Sequence, residues 1–168
     1  MFATSTQLHA ALDRVYKLAA SLPNAPLARF QIMAAALPRT TEAEQLVIQR
    51  IGQDVFRDAL MDYWGGRCPL TGITEPGLLR ASHIVPWANC TDEQRLDVHN
   101  GLLLSALWDA AFDRGLISFA DDGSVLESPQ LSAMARRALD LSEVSPLSGL
   151  RDAHRANLAL HRAANGFR

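Results

Sequence analysis

Apolar residues in the first third of the chain recur with a helical period. Leu8, Leu12, Val15, Ala19 and Leu22 follow Ser5 and Thr6 as caps, so the pattern predicts a helix over 5–22, ended by Pro23, Asn24 and Pro26. A short second helix is expected over 27–37, stopped by Pro38. A third begins at TTEAE, where Thr41 and Glu44 have capping-box spacing, and Leu46, Ile48, Ile51, Val55, Ala59 and Leu60 carry it to about Trp64. After Gly65 and Gly66 the pattern changes to short strands and turns. Strands are expected over 78–84 and 101–104, with a polar loop between them that includes 89–97, and a helix starts at Ser105. LISF and VLES flank ADDGS, a glycine-containing connector that favours a hairpin, and closing helices fit 131–141 and 150–164. No internal repeat or low-complexity tract interrupts this order. The class is α+β, divided into a helical N-terminal extension over 1–40 and a mixed domain over 41–168.

Composition narrows the partners. At 168 residues and 48% hydrophobic content the chain can bury a core, and its net charge of −2 gives no overall field that would hold a polyanion. A nucleic acid would have to be gripped by local groups such as Arg67, Arg80, Arg95, Arg114, Arg136 and Arg137. Met1 is followed by FATSTQLHA, which has neither a basic start nor a long apolar run, so no secretion signal is expected; no apolar stretch is long enough for a membrane span. Cys68 and Cys90 stand alone, without the paired spacing of a zinc site, and read as thiols of a reducing compartment. The expectation is a cytoplasmic protein with no structural zinc.

Candidate chemistry concentrates between Leu78 and Gly115. LLRASHIVPW carries His83, RLDVHNGLLL carries Asn100, and ALWDAAFDRG carries Asp109 and Asp113. Hydrolysis of a phosphodiester needs a base for water and a cation for the developing charge. A neutral imidazole has an ordinary pKa near the working pH, about 6.5, so His83 suits the first task. Asp109 and Asp113, spaced i and i+4, share one helix face and suit the second.

The order of these segments resembles the HNH endonuclease family, the ββα-metal finger, in its branch with AsHI.PW, then.NGLLL, then LD..FDRG. The likeness is strong over about 65–119. It implies that His83 is the general base, that Asn100 orients that histidine through a backbone hydrogen bond, and that Asp109 and Asp113 are ligands of one divalent ion, Mg²⁺ or Mn²⁺. It also implies DNA as partner and a place in restriction or defence. One departure stands out: Ser82 occupies a position where many relatives carry a His or Asp ligand, so a third ligand is Ser82, His99 or water.

Each residue alone also has a packing or turn reading; it is their joint occurrence in this order that favours a nuclease. His99 adjoins Asn100, and in a strand the two would face opposite ways, which assigns the site to Asn100. Trp87 and Trp108 either stack on bases or fill the core. Arg114 either contacts a phosphate or pairs with Asp113, and Arg80 and Arg67 are further candidates for nucleic-acid contact. His154 and His161 share one face of the last helix, where packing or surface placement is the default. A DNA-binding module that cleaves poorly, and N-terminal helices that support a homodimer or another partner, remain alternative readings.

Overall fold

The computed structural model describes residues 5–22, 24–35, 37–38 and 40–167. Its fold is α+β: α1 (Ser5–Ala20), α2 (Asn24–Ala34) and α3 (Glu42–Tyr63) lead into β1 (Leu79–His83), α4 (Asp92–Leu96), β2 (Gly101–Ser105) and α5 (Ala106–Asp113). A hairpin of β3 (Ile117–Phe119) and β4 (Val125–Glu127), then α6 (Ala133–Ala138) and α7 (Asp152–Ala164), complete it. β1 and β2 pair antiparallel, with Leu79 opposite Ser105 and His83 opposite Gly101. The expected hairpin also forms, with Ile117 opposite Glu127.

Local chemistry explains most of these boundaries. Thr41 caps α3: its hydroxyl accepts from the Glu44 N–H at 3.2 Å while Glu44 Oε2 accepts from the Thr41 N–H at 2.9 Å. That reciprocal pair satisfies two donors the helix cannot. Pro26 was expected to end a helix and instead lies in the first turn of α2, which starts at Asn24. A proline there forfeits no intrahelical bond, because a first-turn N–H has no partner in any case. Pro23, the other expected stop, lies outside the described residues.

The polar loop after β1 contains a helix that was not expected. Thr91 and Gln94 form a second capping box and start α4, whose one buried residue is Leu96. Two cores result. One gathers Leu79, Ile84, Leu102, Leu103, Leu104, Trp108, Phe112, Ile117, Phe119 and Leu158 around both hairpins. The other joins Phe30 and Ala34 of α2 to Val55, Phe56, Ala59 and Leu60 of α3, with Leu96 and Val98. Among the described residues no helix is long and apolar enough to cross a membrane.

Candidate active site

β1 presents alternate residues to opposite sides, with His83 on one and Ser82 on the other. On the first side the His83 ring lies flat on Phe56 of α3, with centroids 3.8 Å apart and planes 17° apart. Trp87 meets the same ring edge-on at 5.3 Å. Phe56 also closes over the partner strand: a Cβ on Gly101 would lie 2.5 Å from its Cζ, so only glycine permits this stack.

One nitrogen of the imidazole is committed. His83 Nε2 sits 2.9 Å from the Arg95 carbonyl, and because a carbonyl only accepts, Nε2 carries the proton. The lone pair is therefore on Nδ1. Burial pushes the His83 pKa below its ordinary value; the Arg95 carbonyl bond works against that, and the Arg95 charge adds to it. His83 is thus neutral at physiological pH with a free acceptor nitrogen. Arg95 is fixed in turn: its Nε donates to the Trp87 carbonyl at 3.0 Å, one guanidinium nitrogen pairs with Asp92 at 2.9 Å, and the guanidinium lies 5.2 Å from the Trp87 ring centroid.

Asn100 is buried and holds the segment after His83. Its Oδ1 accepts from the Val85 N–H at 2.8 Å, while its Nδ2 donates to the Gln94 carbonyl at 3.1 Å and lies 3.4 Å from the Val85 carbonyl. The Ile84 N–H donates to the Asn100 carbonyl at 3.0 Å. Asn100 makes no bond to the imidazole itself; it fixes the backbone two residues further on. Strand alternation does not separate it from His99, contrary to expectation, because both residues lie in a 3-10 turn over Val98–Asn100. The turn still sends them apart. His99 Nδ1 pairs with Asp97 at 3.1 Å, and its ring meets Tyr63 and His154 edge-on.

On the other side buried Ser82 stands near the half-buried Asp109. Burial raises the Asp109 pKa; the Ser82 hydroxyl lowers it, the Asp113 charge raises it and Arg80 lowers it. The serine therefore favours the charged carboxylate. Asp113 is exposed at the end of α5 and, together with His83 and His161, lines a cavity of about 340 Å³. His161 stacks on Phe112 at 4.0 Å, with Nδ1 2.9 Å from the Ser118 hydroxyl and Nε2 3.2 Å from the Phe112 carbonyl. It steadies the turn that carries Asp113. Among the described residues no group of three His, Cys, Asp or Glu stands close enough to hold a metal by itself.

The other expected residues are placed as follows. Arg80 donates to the carbonyls of Gly77 and Leu79 at 2.9 and 3.0 Å, and its charge reaches Asp109. Arg114 caps α5 and is exposed beside Asp113. Arg67 lies away from this cavity and lines a different one. Trp108 fills the core, and Trp87 stands edge-on to His83.

Residues 68–120 match the family model of the HNH endonucleases. This segment belongs to that family. The HNH segment contains His83, Asn100, Asp109, Asp113, Arg80 and Arg114, and Arg67 falls one residue before it. Membership assigns it to domains that cleave or bind nucleic acid, and most often to nucleases. No curated protein matches the chain.

Sequence reasoning missed Phe56, the effect of Ser82 on Asp109, and the Arg95 carbonyl. Phe56 was visible only as one apolar residue of α3, and a backbone carbonyl has no signature in sequence at all.

Proposed function

We propose that the chain is a metal-dependent endonuclease that hydrolyses phosphodiester bonds in DNA, with His83 as general base. The observation that carries this is the state of His83: buried, neutral, donating from Nε2 to a carbonyl, with Nδ1 free in a ring that lines the same cavity as Asp113. A water placed against Nδ1 can give up its proton there as it attacks phosphorus. Asn100 holds Val85, so the backbone that carries the imidazole cannot drift from that water. Ser82 favours the charged Asp109 carboxylate, and Arg114 stands beside Asp113 with a fork of donors suited to a phosphate.

The donor set fits one hard divalent cation. Asp109 and Asp113 offer oxygen ligands from one helix face, and the Asp113 charge raises the Asp109 pKa, an effect a cation between them would relieve. When bound, Mg²⁺ or Mn²⁺ would stabilise charge on the phosphoryl and leaving 3′ oxygens, leaving 5′-phosphate and 3′-hydroxyl ends. With two carboxylates as protein ligands, water and substrate must complete the shell. That sparse shell also favours a second reading, a DNA-binding module with little cleavage.

Plasmid nicking with Mg²⁺ or Mn²⁺ separates the two. Nicking is expected in the wild type and absent with EDTA, and His83→Ala should lower its rate by about 10² to 10⁴ while DNA binding persists. A His83→Ala protein that nicks at the wild-type rate would remove this histidine from the mechanism.

A further inference from the structure

A second cavity, of about 490 Å³, opens between α1, the C-terminal end of α3 and the segment before α7. Arg14, Arg67 and Arg151 line it with Tyr63, Trp64 and Gly149, and no carboxylate does. In a chain of net charge −2 this is a local excess of cations. Elsewhere Arg29, Arg95, Arg136, Arg155 and Arg162 are each paired with an Asp or Glu, while Arg50, Arg57, Arg80, Arg114 and Arg137 form no ion pair among the described residues but do not share a cavity with one another. Among the described residues Arg67 and Arg151 form no ion pair, and both are exposed. Arg14 donates to the carbonyls of Asp62 and Tyr63 at 2.6 and 3.2 Å, which fixes its guanidinium, and the Asp62 carboxylate offsets part of its charge, so the unpaired cations of this cavity are Arg67 and Arg151.

The aromatic wall is equally particular. Trp64 terminates α3, and a Cβ on Gly149, which has φ +85°, would come 3.3 Å from the indole. Glycine thus lets the chain lie against the ring in a backbone conformation other residues rarely adopt. The Trp64 indole N–H is buried and has no partner among the described residues, so the ring contributes to this cavity as an apolar surface.

We propose that this cavity binds one nucleotide unit of the DNA strand, with the arginines on its phosphate and Tyr63 and Trp64 against its sugar or base. The inference rests on the nucleic-acid reading above and adds a point of attachment outside the site of cleavage. Arginine forks match phosphate oxygens, aromatic faces accept any base, and the volume lies within the range of small-ligand sites. The cavity also connects to the base: Tyr63 touches His99 at 5.6 Å between centroids, and His99 precedes Asn100 in the turn that holds Val85.

The test is anisotropy of a short labelled DNA duplex over a range of salt in EDTA, so that cleavage plays no part. The double variant Arg67→Ala/Arg151→Ala should bind several-fold more weakly and lower the slope of log K against log salt by about 1 to 2, since each phosphate neutralised by the protein adds about 0.9 to that slope. Arg67→Lys/Arg151→Lys should retain most of the slope, and Arg29→Ala, whose arginine is paired with Asp58, should retain all of it. Wild-type slope and affinity in the alanine double variant, with an unchanged melting temperature, would overturn the proposal. So would calorimetric binding of adenosine monophosphate or inorganic phosphate that the double variant loses while duplex affinity stays constant, since the cavity would then serve a free ligand. Failure of the endonuclease reading shows separately, as absence of nicking by the wild type.

Discussion

Leu12 on α1 and Phe112 on α5 both lie on helices with an apolar stripe, yet Leu12 is 58% exposed and Phe112 is fully buried. The contrast extends along both elements. α1 buries none of its residues and leaves Leu8, Val15 and Leu18 exposed as well, whereas α5 buries Trp108, Ala111 and Phe112 in two turns. α1 is attached through polar contacts, Arg14 to the carbonyls at the end of α3, while α5 is enclosed by the sheet, the second hairpin and α7. A helical period announces that a helix has an apolar face. It does not say that anything covers that face.

The first prediction separates the two regions by stability. Phe112→Ala removes a ring packed on Phe119 and His161 and should cost about 3 to 5 kcal/mol in urea unfolding. It should also loosen the turn before Asp113. A loss under about 1 kcal/mol would mean that the finger is no better packed than the N-terminal helix.

The same contrast separates what could be read in the sequence from what could not. The order of three helices followed by two strands and a helix, the α3 cap and the hairpin of β3 and β4 were legible because each rests on local chemistry: Thr41 with Glu44, alternating strands, a glycine connector. His83, Asn100, Asp109 and Asp113 were legible because their order carries the resemblance. The helix α4 was not, since a five-residue element with Leu96 as its buried apolar position is too short to show a period. Nor was the 3-10 turn at His99, because the return strand starts only after Asn100 and neither residue of the pair belongs to it. The contacts that set the His83 ring, Phe56 on one face and the Arg95 carbonyl at one nitrogen, depend on tertiary placement.

A second prediction sharpens the comparison within the finger. Asn100→Ala leaves the Val85 N–H and the Gln94 carbonyl without their partner, which should cost about 1 to 3 kcal/mol and most of the nicking activity. His99→Ala removes a partly exposed pair with Asp97 and should cost less than about 1 kcal/mol, with nicking within a few-fold of wild type. If the His99 variant were inactive and the Asn100 variant active, the roles given to the two faces of this turn would be reversed.

Acid should act on the buried histidines of β1 and α7. Burial lowers the pKa values of His83, His154 and His161, that of His154 to about 4, whereas an unfolded histidine titrates near 6.5. The unfolded chain then binds more protons than the folded one between these values. Stability is therefore level above about pH 6.5 and falls as pH drops from there toward about 4, with His154 alone contributing up to about 1.4 kcal/mol per pH unit. His154→Leu should flatten that part of a urea-midpoint profile. A profile as steep as that of the wild type would show that another group carries the dependence. The low His83 pKa also predicts that cleavage holds its rate below pH 6.5, where an ordinary histidine would begin to lose its lone pair.

The smallest effect is expected on α1. Leu12→Gln exchanges an exposed apolar side chain for a polar one on a helix that the rest of the described structure leaves uncovered. Glutamine is nearly as good a helix former as leucine, so propensity changes little. The core is untouched, and unfolding should shift by no more than about 0.5 kcal/mol, with nicking unchanged. The measurement is a urea titration of both proteins at two concentrations well apart. A shift of about 2 kcal/mol or more that grows with protein concentration would show that the Leu8, Leu12 and Val15 face is buried against a second molecule in solution. The difference between Leu12 and Phe112 would then belong to the isolated chain rather than to the working protein.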